Sequence, residues 1–201
     1  MTRIIAILLA ATSLAACVAG PRPADAVSGV ASMPASVGES RAFWDHLQAL
    51  CGNAYEGAGI HVPPTDTAFI GARMVMHVTE CSDTLMRIPF HVGDDRSRTW
   101  VLRRAGGNLE LKHIHRHEDG TASSNTNYGG TTAARGTPHR QEFPADSFSV
   151  AAVPGRASQF WFLEHYPGHR FAYGLFREGT GLHYRIEFDL TRTVPAPPPA
   201  W

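Results

Sequence analysis

Residues 159–190 read QFWFLEHYPGHRFAYGLFREGTGLHYRIEFDL. Two breaks divide the stretch into three runs, Gln159 to Tyr166, Arg170 to Glu178 and Leu182 to Leu190. The breaks are Pro167-Gly168 and Gly179-Thr180-Gly181, residues that favour tight turns. Aromatic and branched side chains fill the runs between them. Strands of this length joined by short glycine turns predict an antiparallel meander.

Upstream the same pattern repeats. Ala54 to Val62 forms a first candidate strand, stopped by Pro63-Pro64. Ala72 to Glu80 and Leu85 to Val92 follow, then a turn at Gly93-Asp94-Asp95. Arg98 to Arg104, a turn at Ala105-Gly106-Gly107-Asn108, and Leu109 to His117 come next. Asp119 to Pro138 is rich in Gly, Ser, Thr and Asn and offers no element, while His139 to Phe143 fits a short strand. Only one helix is expected. Phe43, Trp44, Leu47 and Leu50 recur at helical spacing, with Ser36 or Ser40 as a cap and Gly52 as a stop. Strands and helices do not alternate, which argues against a parallel sheet. The expected fold is mainly β: an antiparallel β-barrel or sandwich with one N-terminal amphipathic helix.

Outside this domain, residues 41 to 194, the chain changes character. Arg3 precedes the apolar run Ile4 to Ala11, too short for a transmembrane span of roughly 20 residues but suited to an export signal. The run leads into Leu14-Ala15-Ala16-Cys17. This stretch resembles the lipobox of bacterial lipoproteins. The resemblance implies that residues 1–16 are a signal peptide and that Cys17 is acylated and holds the protein to a membrane. Val18, in place of an aspartate, implies the outer membrane, with the domain facing the periplasm. Residues 17–40, mostly Ala, Pro, Ser, Gly and Val, bury too little apolar surface to order themselves and suit a tether. Residues 195–201, PAPPPAW, suit a polyproline-like tail.

Cys51 and Cys81 remain once Cys17 is lipidated. In an oxidising compartment they suit one disulfide, closing a loop of about 30 residues and contributing on the order of 3 kcal/mol; two unpaired buried thiols are the alternative. Charge is balanced, with 18 basic and 18 acidic residues. No basic block points to nucleic acid.

The amphipathic helix followed by Gly52-Asn53-Ala54-Tyr55-Glu56-Gly57 resembles the start of calycin-type barrels, the class of lipocalins and haem-binding nitrobindins, although the Gly-x-Trp of that class is absent, since Tyr55 stands three residues beyond Gly52. That resemblance implies a barrel architecture. IPFHVGDDRSRTW and HRHEDGT are also similar to stretches of uncharacterised secreted bacterial proteins.

Two strands carry candidate chemistry. Alternation puts Leu109, Leu111, His113, His115 and His117 on one face. Histidines two apart can share a metal ion, and Glu118 or Asp119 could add a carboxylate. A divalent-metal site at His113, His115, His117 and Glu118 is therefore one expectation; a haem or organic-ligand site, or a row of surface histidines, are others. His-x-His after Gly107 resembles the first cupin motif, but Glu118 follows His115 too closely and no second motif is evident. On the neighbouring strand Arg98, Trp100, Leu102 and Arg104 share a face, so Arg98, Trp100 and Arg104 could hold a ligand carboxylate, or the arginines could be solvated. His77, His91, His139, His165, His169 and His183 could complete a site only if the fold gathers them.

Gly-x-Ser-x-Gly, His-Glu-x-x-His, phosphate-loop, dinucleotide and Cys-x-x-Cys motifs are absent. Asp94-Asp95 and Glu118-Asp119 are adjacent acids that point to opposite faces and make poor acid–base pairs. Three functions remain: a lipid-anchored domain that binds a small ligand or metal, a metal-dependent envelope enzyme, and a structural or interaction lipoprotein.

Overall fold

Eleven strands alternate with short turns in the computed structural model, which describes residues 35–132 and 136–201. The first half comprises α1 (Ala35–Gln48), β1 (Ala54–His61), β2 (Met74–His77), β3 (Glu80–Cys81), β4 (Leu85–Val92), β5 (Asp95–Ala105) and β6 (Asn108–His115). The second comprises β7 (Tyr128–Thr131), β8 (Arg140–Pro144), α2 (Ser147–Ala152), a 3-10 turn (Pro154–Ser158), β9 (Gln159–Tyr166), β10 (Arg170–Arg177) and β11 (Leu182–Asp189). All pairings are antiparallel, in the order β7-β6-β5-β4-β2-β1-β11-β10-β9-β8, with β3 beside β4. A bridge between Gly130 and Ala145 links β7 to the end of β8 and nearly closes the barrel.

The quoted meander takes the expected form: Arg170 to Arg177 pairs residue for residue with Gln159 to Tyr166 on one side and Leu182 to Asp189 on the other. Several boundaries differ from the sequence reading, and β5 begins at Asp95, inside the expected turn. The run 72–80 breaks into β2 and β3, and β6 stops at His115 rather than His117. β7 lies inside the segment expected to lack structure, and α2 is a second helix. Glycines hide β7 from a propensity reading, yet this crowded position requires them. A Cβ at Gly129 would meet the Leu111 carbonyl oxygen at 1.8 Å, and one at Gly130 the Pro144 carbonyl oxygen at 1.8 Å.

α1 spans Ala35–Gln48, beginning inside the expected tether, so both Ser36 and Ser40 fall within the helix. Ser40 is buried, and its hydroxyl donates to Gln141 Oε1. Phe43, Trp44 and Leu47 are fully buried, each worth about 1.5–3 kcal/mol by burial. The helix covers one end of the barrel: Arg104 lies over Trp44, and His46 packs against His139 and His165. A disulfide joins Cys51, just beyond α1, to Cys81 in β3. The proline-rich tail is docked, with Trp201 N–H donating to Arg96 O, and Arg96 Nη1 to Pro199 O. The signal segment and Cys17 lie outside the described residues.

Candidate functional site

β5, β9 and β10 each span the barrel between the helix-covered end and an opposite, open end. Arg98, Gln159 and Arg177 stand at that open end, where a cavity of about 310 Å³ enters the barrel. Its floor is aromatic and apolar. Trp100 stacks on Phe90 at 4.6 Å and on Tyr173 at 4.5 Å, and Ile186 and Phe69 complete the surface. Its polar lining comes from Arg98, Asn125, Arg156, Gln159, Arg177 and Asp66. The volume lies at the small end of the range for ligand pockets and equals that of about ten liquid waters.

His113 and His115 both line this cavity, because β6 sends alternate side chains inward after Leu109 and Leu111. The partners of His113 settle its proton. Its Nδ1 faces the Tyr128 carbonyl oxygen at 3.2 Å, which can only accept, so Nδ1–H donates. Nε2 therefore accepts from the Tyr173 hydroxyl at 2.9 Å. Burial holds His113 neutral and lowers its pKa to about 3, with the positive charge of Arg156 adding to the effect. His115 Nε2 meets the Tyr128 hydroxyl at 3.0 Å. Burial, then the nearby Arg98 charge, lowers the His115 pKa to about 4. Burial also pushes the Tyr128 phenol up to about 12.

The proposed metal set does not assemble. β6 ends at His115, so alternation no longer governs the next residues. His117 closes a turn by accepting from Gly120 N–H, and it is exposed together with Glu118. Both ring nitrogens of His113 are already engaged. Among the described residues, no three His, Cys, Asp or Glu side chains group as metal ligands.

The arginine strand divides likewise. Arg98 and Trp100 line the cavity. Arg104, six residues further along β5 and so about 20 Å away, is at the opposite end over Trp44 and belongs to no ligand set with them. Arg98 is ion-paired to Asp95 and lies over the Phe69 ring. Sequence reasoning missed Arg156 and Arg177. Arg177 was legible by alternation, two and four residues after Leu175 and Tyr173 on the inward face of β10. Arg156 sits in the 3-10 turn, where no periodicity applies, and carries no local signal.

Arg177 donates from Nε and Nη2 to Gln159 Oε1, at 3.2 and 2.7 Å. Arg156 donates to Asn125 Oδ1 at 3.0 Å, and its guanidinium lies 4.4 Å from the Tyr128 ring centroid. Among the described residues, neither has a carboxylate within ion-pair distance. Asp66 is the acid lining the cavity, and it accepts from the Tyr184 hydroxyl at 2.9 Å.

The other histidines go elsewhere. His46, His139 and His165 gather at the closed end, and His61 stacks on His183 at 4.6 Å. His77 and His91 face the groove occupied by the tail, and His169 lies in the β9–β10 turn. Comparisons with protein-family models, curated proteins and solved structures give no match.

Proposed function

We propose that this chain is a lipid-anchored envelope protein whose barrel mouth holds a small organic ligand without turning it over. The export signal and lipobox support the anchor. The observation that carries the binding reading is the one-ended cavity, with an aromatic floor and a polar lining at its opening. Pockets of this kind gain affinity from buried apolar surface and orientation from a few polar groups.

Binding fits the cavity chemistry better than catalysis does. A general base works best with a pKa near the working pH, whereas His113 and His115 are held near 3 and 4. The lining includes no serine or cysteine, and Asp66 is committed to Tyr184. A test uses the purified full chain and two-ring aromatic probes of different charge, followed by quenching of tryptophan emission. Saturable quenching by at least one probe, lost when Leu175→Trp fills the mouth, supports the reading. Quenching that survives Leu175→Trp, or no quenching by any probe, refutes it.

A further inference from the structure

The sign and shape of the cavity lining narrow the ligand further. Arg98 is neutralised by Asp95. Asp66 contributes one negative charge, and Arg156 and Arg177 contribute two positive charges without carboxylate partners among the described residues. Neutral His113 and His115 add nothing, so the mouth carries a net charge of one positive unit.

The two guanidiniums also line one cavity. A Cβ on Gly155 would lie 3.7 Å from Arg177 Nη1, so the turn bearing Arg156 is laid against Arg177. Each is held by a neutral amide: Gln159 Oε1 takes two bonds from Arg177, and Asn125 Oδ1 one from Arg156. Amide oxygens orient a guanidinium without cancelling its charge. The Gln159 side chain, 4 % exposed, turns its amide into the lining, and no hydrogen bond among the described residues uses its Nε2 donors. Arginine's planar fork matches the two coplanar oxygens of a carboxylate. Behind it stand the stacked rings of Tyr173, Trp100 and Phe90.

We infer that the ligand is a small aromatic monocarboxylate, with its anion held by Arg156, Arg177 and Gln159 and its ring against the Trp100–Tyr173 stack. This inference rests on the binding reading above and adds the ligand's charge and class. A net charge of one suits a monoanion better than a dianionic phosphate, and the ring-lined floor suits a flat body better than a flexible chain.

The test titrates the full chain with 2-naphthoate, the neutral isostere 2-naphthamide and 2-naphthyl phosphate, by calorimetry and tryptophan quenching. The expected result is 2-naphthoate binding at least about tenfold more tightly than the amide, the scale of one charge-assisted hydrogen bond. It should also bind more tightly than the phosphate. Arg156→Gln and Arg177→Gln should each erode the preference of carboxylate over amide. Equal or tighter binding of the amide overturns the anion assignment and leaves the pocket reading standing. A preference for the phosphate overturns the carboxylate assignment alone. No binding of any of the three overturns both. The wild-type ranking decides the matter even if an arginine variant fails to fold.

Discussion

Replacing His165 by phenylalanine should leave the barrel about as stable near neutral pH and stabilise it increasingly as the pH falls. His165 is 1 % exposed, and both its ring nitrogens are buried with no hydrogen-bond partner among the described residues. An unpartnered buried polar group costs about 1–3 kcal/mol. Phenylalanine removes that penalty and adds a little volume, for which overpacking costs about 1–3 kcal/mol. Near neutral pH the two terms roughly cancel. The proton term does not cancel. Burial, followed by the neighbouring His46 and His139, lowers the His165 pKa to about 4, against 6.5 for the free side chain. Between those values the unfolded chain holds a proton that the folded chain refuses, so stability is complete above pH 6.5 and drains away as pH falls toward 4. With each pKa unit worth a little over 1 kcal/mol, the wild type loses on the order of 2–3 kcal/mol by pH 4.5 through this one group. The variant escapes that loss. Urea unfolding followed by tryptophan emission at pH 7.5 and 4.5 measures the difference. The advantage of His165→Phe should grow by about 2 kcal/mol between the two. An advantage that does not change with pH would refute the reasoning, because His165 would then titrate alike in both states.

Three other outcomes are expected. Gly130→Ala forces a methyl group into the Pro144 carbonyl at the barrel seam and should cost about 3 kcal/mol or more in urea unfolding, whereas Gly106→Ala, at an open turn with φ +58, should cost only the smaller strain of a positive φ. Removing the Cys51–Cys81 disulfide by double alanine substitution should cost about 3–4 kcal/mol, from a closed loop of roughly 30 residues; a loss below about 1 kcal/mol would refute this loop-closure account. Cys17→Ser should abolish incorporation of radiolabelled palmitate and release the protein from membranes, and continued labelling would refute the lipobox reading.

Alternation made most of the barrel legible. Phe171, Tyr173 and Leu175 alternate inward as their spacing implies, and so do Leu109, Leu111 and His113. It failed wherever a strand stopped early or a glycine was required by a neighbour. His117 lies two residues past the last strand residue of β6, and the period that would have aimed it inward ended with the strand. Gly129 and Gly130 look like loop residues until the 1.8 Å approaches to Leu111 and Pro144 are known. Those contacts are set by strands 18 and 14 residues away in sequence, and no local window contains them. The site was half legible for the same reason. Arg98 and Trp100 are strand residues whose direction follows from alternation, but the depth along β5 that separates Arg98 from Arg104 depends on which end α1 covers. Arg156 joins them only because the 3-10 turn folds over the open end.

A chain with 18 basic and 18 acidic residues presents no net field, so the sign of its site depends on where pairing is withheld. On the outer face of β8, β9 and β11, Glu164 takes hydrogen bonds from both Arg140 and Arg185. Burial alone would raise its pKa, but the bonds and charges of Arg185 and Arg140 outweigh that and hold it below the usual carboxylate range. Arg73 and Arg87 are likewise answered by Glu56 and Glu80. These pairs spend arginine charge on the barrel wall, where the exposed ones, Arg73–Glu56 and Arg87–Glu80, contribute little to stability. At the mouth, Arg156 and Arg177 are oriented by amides instead. Low-dielectric aromatic walls around them concentrate the field of an unpaired guanidinium, so two unanswered arginines there outweigh many paired ones outside. Exchanging the orienting amide for an acid by Gln159→Glu should therefore turn the mouth from anion-attracting to neutral with hardly any change in the chain's total charge. Binding of 2-naphthoate should fall about tenfold or more, on the scale of one charge-assisted bond. Retention of full affinity would show that the anion, if one binds, is held somewhere other than between these two arginines.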